Sequence, residues 1–340
     1  MSRWLVGSAT PALRAAASAR QQPPLTHPPL RLRAFTTGLA RRSEAVDPRL
    51  RGLGREISDD YAKIRDYYGK FCLTRHPIVL AHGLLGFAEL KVLDLLPPVQ
   101  YWYGIADALT AQGATVITAT VPPSGSIEER AAKLGADIAA KAPPDVPVSI
   151  IAHSMGGLDA RYMISNLRPA GVKVASLVTV ATPHYGSPFA DFLLDEQLSP
   201  IYLPKLYKVI ERAGFGTKAF AQLTTQHMKE QFNPATPDDP NVQYFSYGAT
   251  LLRPPPPLSP FRQPHRIISE AEGPNDGLVS VDSSRWGTYK GTLLGVGHLD
   301  LINWSNRIRW TVREMLGQKR TFNAVAFYLG IADMLAKEGL

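Results

Sequence analysis

A serine flanked by small residues, an aspartate in a glycine-containing turn and a histidine late in the chain are the groups whose types and order could do hydrolytic chemistry here. The serine is Ser154, in Ser149-Ile150-Ile151-Ala152-His153-Ser154-Met155-Gly156-Gly157-Leu158, where a β-branched run enters small residues and then a helical pattern. A serine held on a sharp strand-to-helix turn tolerates only small residues two positions before and after it, and Ala152 and Gly156 meet that demand. Such a serine could instead be the N-cap of a helix beginning near Gly157. Strand, small residues and helix arriving together favour the nucleophile.

A serine hydroxyl needs a base to activate it, and the base needs a third group to orient it. Of the eight histidines, His76, His82, His153 and His184 lie before, beside or soon after the serine turn, and His227 falls in a helical stretch. His298, in Gly295-Val296-Gly297-His298-Leu299-Asp300, sits in a Gly-rich loop after a strand-like segment and is the expected base. Asp276, in Gly273-Pro274-Asn275-Asp276-Gly277-Leu278-Val279, gives the chain order serine, acid, histidine and is the expected acid; Asp282 and Asp300 are its rivals. Negative charge on an attacked carbonyl oxygen calls for backbone N–H donors. Met155, directly after the serine, supplies one, and the loop His82-Gly83-Leu84-Leu85-Gly86 after an early strand supplies the other at Leu84.

These groups must be carried by a fold, and from Pro77 the chain alternates short β-branched runs with amphipathic stretches. Strands are expected at Ile78–Ala81, Thr115–Thr120, Val146–Ala152 and Val174–Ala181; helices are expected at Tyr101–Gln112, Ser126–Lys141 and Leu158–Leu167. Ser126 followed by Glu129 reads as a capping box, and Gly113 as a helix end. Strands alternating with helices imply right-handed crossovers and an α/β fold with a mostly parallel sheet covered on both faces. Leu50–Tyr68 reads as a helical lead-in, and Pro188–Phe220, with apolar residues between prolines, as a packed insertion or a cover over the site. The four consecutive prolines within Arg253–Pro260 must form a stiff surface loop. Phe322–Leu340 is loosely helical and expected to dock on the body.

Charge narrows the classes. The formal net charge is +8, yet Arg3, Arg14, Arg20, Arg31, Arg33, Arg41 and Arg42 all precede the first acidic residue, Glu44, leaving about +1 for the rest. A near-neutral body without a basic and aromatic stripe argues against nucleic acid as a partner. The Arg-rich, acid-free start, residues 1–43, is expected to be a mitochondrial targeting presequence, followed by the lead-in at 44–76 and one catalytic domain at 77–340. The lone Cys72 excludes an intrachain disulfide and a cysteine-based metal cluster. No uncharged apolar run is long enough to span a bilayer.

Pro77–Phe87, Tyr101–Gly104, Ala152–Tyr162, Val178–Asp191, Asn275–Tyr289 and Gly297–Asn303 together resemble the motif blocks of triacylglycerol lipases of the α/β-hydrolase superfamily, and most resemble a fungal mitochondrial group. The resemblance implies the α/β-hydrolase fold with a helical lid within 188–220, nucleophile Ser154, acid Asp276, base His298 and oxyanion donors Leu84 and Met155. Bacterial members hold a structural calcium near the histidine; Asp300 matches one ligand, but Trp304 stands where a glutamine is expected, so no metal and no cofactor are expected. Apolar residues around the site, among them Leu85, Phe87, Phe189 and Phe192, are the expected acyl-chain contacts. The expected partner is a lipid ester met at a membrane or lipid-droplet surface. The alternatives are a carboxylesterase or phospholipase acting on smaller or more polar esters, and a non-catalytic relative that binds lipid or a partner.

Overall fold

The structure, a computed structural model, describes residues 56–57, 74–84, 89–90, 99–194, 217–303 and 322–340. Among the described residues, seven strands form one sheet and two more form a small antiparallel pair. In chain order they are β1 (Glu56–Ile57), β2 (Ile78–Ala81), β3 (Glu89–Leu90), β4 (Val99–Gln100), β5 (Val116–Thr118), β6 (Val148–His153), β7 (Val174–Val180), β8 (Gln243–Thr250) and β9 (Thr288–Leu294). β3 pairs with β4; the large sheet runs β1-β9-β8-β7-β6-β2-β5, and every pairing in it is parallel.

Parallel strands are buried on both faces, and the two-residue alternation sorts their side chains. Ile78, Leu80, Ile151, Val178 and Val180 face a core shared with helices α1 (Ile105–Ala111) and, at the chain's far end, Ala324–Lys337. Val79, Ala81, Ile150, Ala152 and Leu177 face the other core, shared with α2 (Ile127–Lys141) and α3 (Gly156–Tyr162). Helices therefore cover both faces, as the alternation of strand and helix in the sequence requires. Further along lie α4 (Pro188–Leu194), α5 (Thr217–Gln222) and α6 (Arg262–Ala271), and Ala324–Lys337 is α7.

The boundaries sharpen several expectations. α2 carries the capping box: Ser126 Oγ accepts from Glu129 N–H, and the Glu129 carboxylate accepts from Ser126 N–H. α1 starts at Ile105 and not at Tyr101, because Tyr101–Gly104 forms a turn that ends with Gly104 at φ 71°, a left-handed value glycine reaches without strain. α3 starts at Gly156, two residues before the expected Leu158, and its last turn, Met163–Leu167, widens to a π-helix ending at Arg168. In the lead-in, expected to be helical, Glu56–Ile57 instead extends as a strand beside β9, whose outer edge offers unpaired backbone groups. The rest of 1–73 lies outside the described residues, as do 195–216 of the expected lid, of which α4 and α5 are the described flanks.

β8 and α6 carry no sequence expectation at all. β8 reads Gln-Tyr-Phe-Ser-Tyr-Gly-Ala-Thr, where Ser246 and Gly248 break the apolar signal although both lie inside the sheet. α7 docks: Phe327, Leu329, Ile331 and Leu335 are buried in the first core beside Tyr328, and each of these four contributes about 1.5–3 kcal/mol of transfer free energy. Arg253–Pro260 contains no regular element and is mostly exposed, but Pro255 is buried and its carbonyl accepts from Arg262 Nη1 at 2.7 Å.

Candidate active site

β6 delivers Ser154. The strand's last residue is His153, and Ser154 follows at φ 57°, a left-handed conformation that costs a non-glycine residue free energy and is held here by its surroundings. Ser154 N–H donates to Val180 O at 3.0 Å, and Thr182 Oγ1 donates to Ser154 O at 2.7 Å. The close packing explains the small neighbours: a Cβ on Gly156 would stand 2.7 Å from the carbonyl oxygens of Ala81 and His82, and one on Gly83 would stand 2.7 Å from Ser154 Cβ. The N-cap of α3 is Met155 and no side chain caps it, so the Ser154 hydroxyl is not spent on the helix.

The turn after α6 and the loop after β9 supply its partners. His298 Nε2 lies 2.9 Å from Ser154 Oγ, and His298 Nδ1 lies 2.7 Å from Asp276 Oδ2. The other carboxylate oxygen, Oδ1, accepts from the backbone N–H groups of Leu278 and Val279, at 3.0 and 2.9 Å. His298 N–H donates in turn to Asp276 O at 3.0 Å, so the two loops are joined by backbone as well as by side chain. With Nδ1–H given to the carboxylate, Nε2 is left as the acceptor for the serine proton. Asp276 and His298 are both buried, and Ser154 is partly open. The rival acids are elsewhere: Asp282 is exposed, and Asp300 caps its own loop by accepting from Gly297 N–H at 3.0 Å.

The two expected backbone donors lie at the carboxyl ends of adjacent strands, Leu84 after β2 and Met155 after β6. Among the described residues, no protein acceptor takes either N–H. Leu85 and Phe87 lie outside the described residues. Phe189 and Phe192 are half-buried on α4, which Ser187 fastens to the Asp276 turn by donating from Oγ to Leu278 O at 2.9 Å.

A second buried polar group, unread in the sequence, supports the loop that bears Leu84. Arg130 on α2 donates through Nε to Asp159 Oδ2 of α3 at 2.9 Å, through Nη1 to Pro122 O at 2.6 Å, and through Nη2 to His82 O at 2.8 Å. Burial raises the Asp159 carboxyl to about 6, against the pull of Arg130. His82 is kept neutral, its pKa lowered to about 4 mainly by burial; Nε2 accepts from Val121 N–H, which leaves Nδ1–H to donate to Gly83 O. Arg130 could have been found in the sequence, because it falls on the apolar stripe of Ile127, Ala131, Leu134 and Ile138, where an unpaired cation would not be tolerated.

Sequence and fold are shared with known proteins. The model of the PGAP1-like alpha/beta domain matches residues 133–213. Triacylglycerol lipase 2 of Saccharomyces cerevisiae is 36% identical over 334 residues, 84% of this chain and 97% of the yeast protein. A triacylglycerol lipase of Pseudarthrobacter phenanthrenivorans is 29% identical over 297 residues, 68% of this chain and 90% of that protein. Among solved structures, Staphylococcus hyicus lipase shares the fold at a TM-score of 0.57 and 20% identity, over 77% of this chain and 95% of that one.

Proposed function

The chain belongs to the triacylglycerol lipase family, which makes it a carboxylic ester hydrolase of the α/β-hydrolase fold, and from that premise we propose that Ser154, His298 and Asp276 cleave triacylglycerol. Ser154 Oγ attacks the ester carbonyl as His298 Nε2 takes its proton, and Asp276 holds the imidazole in the tautomer that can accept it. The oxyanion is received by the N–H groups of Leu84 and Met155. Protonated His298 then gives the proton to the leaving alcohol, and water, deprotonated by the same ring, hydrolyses the acyl-enzyme.

The observation that carries this reading is the unbroken run of contacts from Ser154 Oγ to His298, 2.9 Å, and from His298 to Asp276, 2.7 Å, beginning at a serine with φ 57°. The test is hydrolysis of a chain-length series, from short nitrophenyl esters to emulsified long-chain triacylglycerol and phospholipid, by the wild-type protein and Ser154→Ala. Ser154-dependent release from long triacylglycerol is the expected result. Activity on short soluble esters or on phospholipid alone would replace triacylglycerol by those esters, and no activity would leave a binding protein. An insoluble substrate requires work at a surface, so transient contact with a lipid droplet or membrane is part of the proposal. Residues 1–43 are proposed as a mitochondrial leader, on the support of seven arginines before the first acid. A reporter fused to residues 1–45 should enter mitochondria; a cytosolic reporter would end that reading.

A further inference from the structure

Behind the site, a buried tyrosine joins two pieces that the hydrolysis needs in register. Tyr101, in the turn before α1, is buried, and its hydroxyl accepts from Gly83 N–H at 3.1 Å. The same oxygen lies 2.7 Å from His153 Nδ1. With a lone pair of Oη engaged by Gly83, and with no other acceptor for Tyr101 among the described residues, the phenol proton goes to Nδ1. His153 therefore carries its own proton on Nε2, a buried atom close to the His298 backbone. The His153 ring lies against the His298 ring, centroids 4.6 Å apart and planes tilted by 45°. Burial, and then the neighbouring His298, hold the His153 pKa well below its usual range, so its ring stays neutral while His298 gains and loses a proton.

We propose that Tyr101 and His153 are positioning residues for ester hydrolysis: the Tyr101 hydroxyl ties Gly83, and so the N–H of Leu84 next to it, to His153, whose ring fixes the plane of His298. The oxyanion donor and the base are thereby set against each other by one hydroxyl. Neither residue touches the reacting atoms. The clip is itself braced from outside: Trp102 meets the Tyr101 ring edge-on at 5.2 Å, and Tyr328 of α7 meets Trp102 edge-on at 5.4 Å. A tyrosine with only a packing role would need a ring here but no hydroxyl.

The inference rests on the role proposed for Ser154, and the experiment separates the two. Wild type, Tyr101→Phe, His153→Phe and the double variant are labelled with a fluorophosphonate, and kcat and KM for a short soluble nitrophenyl ester are expressed per labelled site. Each single variant should lose about 10-fold in kcat with KM within about 2-fold, since a misplaced oxyanion donor weakens transition-state binding alone. The double variant should lose no more than the worse single one, because both break the same link. Wild-type kcat per labelled site in Tyr101→Phe, or losses that multiply in the double variant, would overturn the proposal. If Tyr101→Phe does not fold, His153→Phe alone decides, by the same fall in kcat or its absence. A wild-type protein that neither labels nor hydrolyses would refute the Ser154 reading itself, and this inference with it.

Discussion

The His298–Asp276 pair and the Arg130–Asp159 pair are both withdrawn from water, yet they are built the opposite way round. In the first, the carboxylate is the fixed point: both Asp276 oxygens are occupied, one by the ring and one by two backbone N–H groups, and the histidine is the partner whose charge can change. In the second, the cation is the fixed point: Arg130 reaches the carboxylate and two carbonyls, while Asp159 Oδ1 has no partner among the described residues. The carboxylate is saturated where, on the proposed mechanism, a proton moves; the guanidinium is saturated where a backbone must stay still. The difference separates a pair built for chemistry from one built to hold a loop.

The largest effects should fall on activity alone and come from the first group. Ser154→Ala should lower kcat by about 10⁵-fold or more, and Asp276→Asn by about 10⁴-fold, each with a melting temperature close to wild type. A large drop in melting temperature in either would erase the contrast. Arg130→Leu should do the reverse and destabilise the protein by about 3–5 kcal/mol, because it leaves a buried carboxylate and two carbonyls unmatched. Adding Asp159→Leu should restore much of that stability without restoring activity, since His82 O stays untethered. Urea denaturation of the single and double variants, alongside ester hydrolysis, reads both; full stability in Arg130→Leu would mean that Asp159 is already protonated when folded.

Acid sharpens the contrast further. His82, lowered to about 4, is neutral when folded down to that pH but charged below about 6.5 when unfolded, so its contribution is complete above pH 6.5 and is lost as pH falls. The shift corresponds to about 3 kcal/mol. His153 and His184, both held well below the usual range by burial, act in the same direction. Asp159, raised to about 6, opposes them between about 3.8 and 6, because its folded form takes up a proton first. The lowered histidines, His76 and His265 included, outnumber the raised carboxyls of Asp159 and Glu272 and predict a urea midpoint that falls from pH 7 to pH 5; a constant or rising midpoint would contradict this. The smallest effect is expected at Ser126→Ala, where losing the capping box should cost about 1 kcal/mol and leave kcat unchanged.

The proposed reactive group is more legible in the sequence than its support, and the reason is local. Ser154 sits where strand, small residues and helix follow one another without a gap, and His298 and Asp276 sit in loops that glycine marks, so short stretches identify them as candidates. Arg130 and Asp159 meet only through the packing of α2 on α3, and Tyr101 meets His153 across 52 positions of sequence, so neither pairing leaves a local pattern, and only Arg130, on the apolar stripe of α2, stands out singly. β2, α2 and β7 could be read because their apolar residues are unbroken or regularly spaced. β8 could not, since the polar Ser246 and Thr250 are buried inside the sheet, where Ser246 Oγ donates to Trp286 O. The turn at Tyr101–Gly104 has the sequence pattern of a helix because aromatic residues next to an amphipathic run extend its period by a turn.

Every strand in the large sheet pairs in parallel, which has a consequence for how quickly the molecule can form. No neighbouring pair can be closed by a hairpin; each must wait for a crossover, and β1 finds its partner β9 only across most of the chain. Such long-range pairing makes for slow folding. His298 and Ser154, 144 positions apart, come within hydrogen-bonding distance only once the strands between them are in register. Recovered ester hydrolysis should therefore lag behind recovered helix in a refolding experiment, and the enzyme's own turnover becomes the clock that times the last step of its assembly.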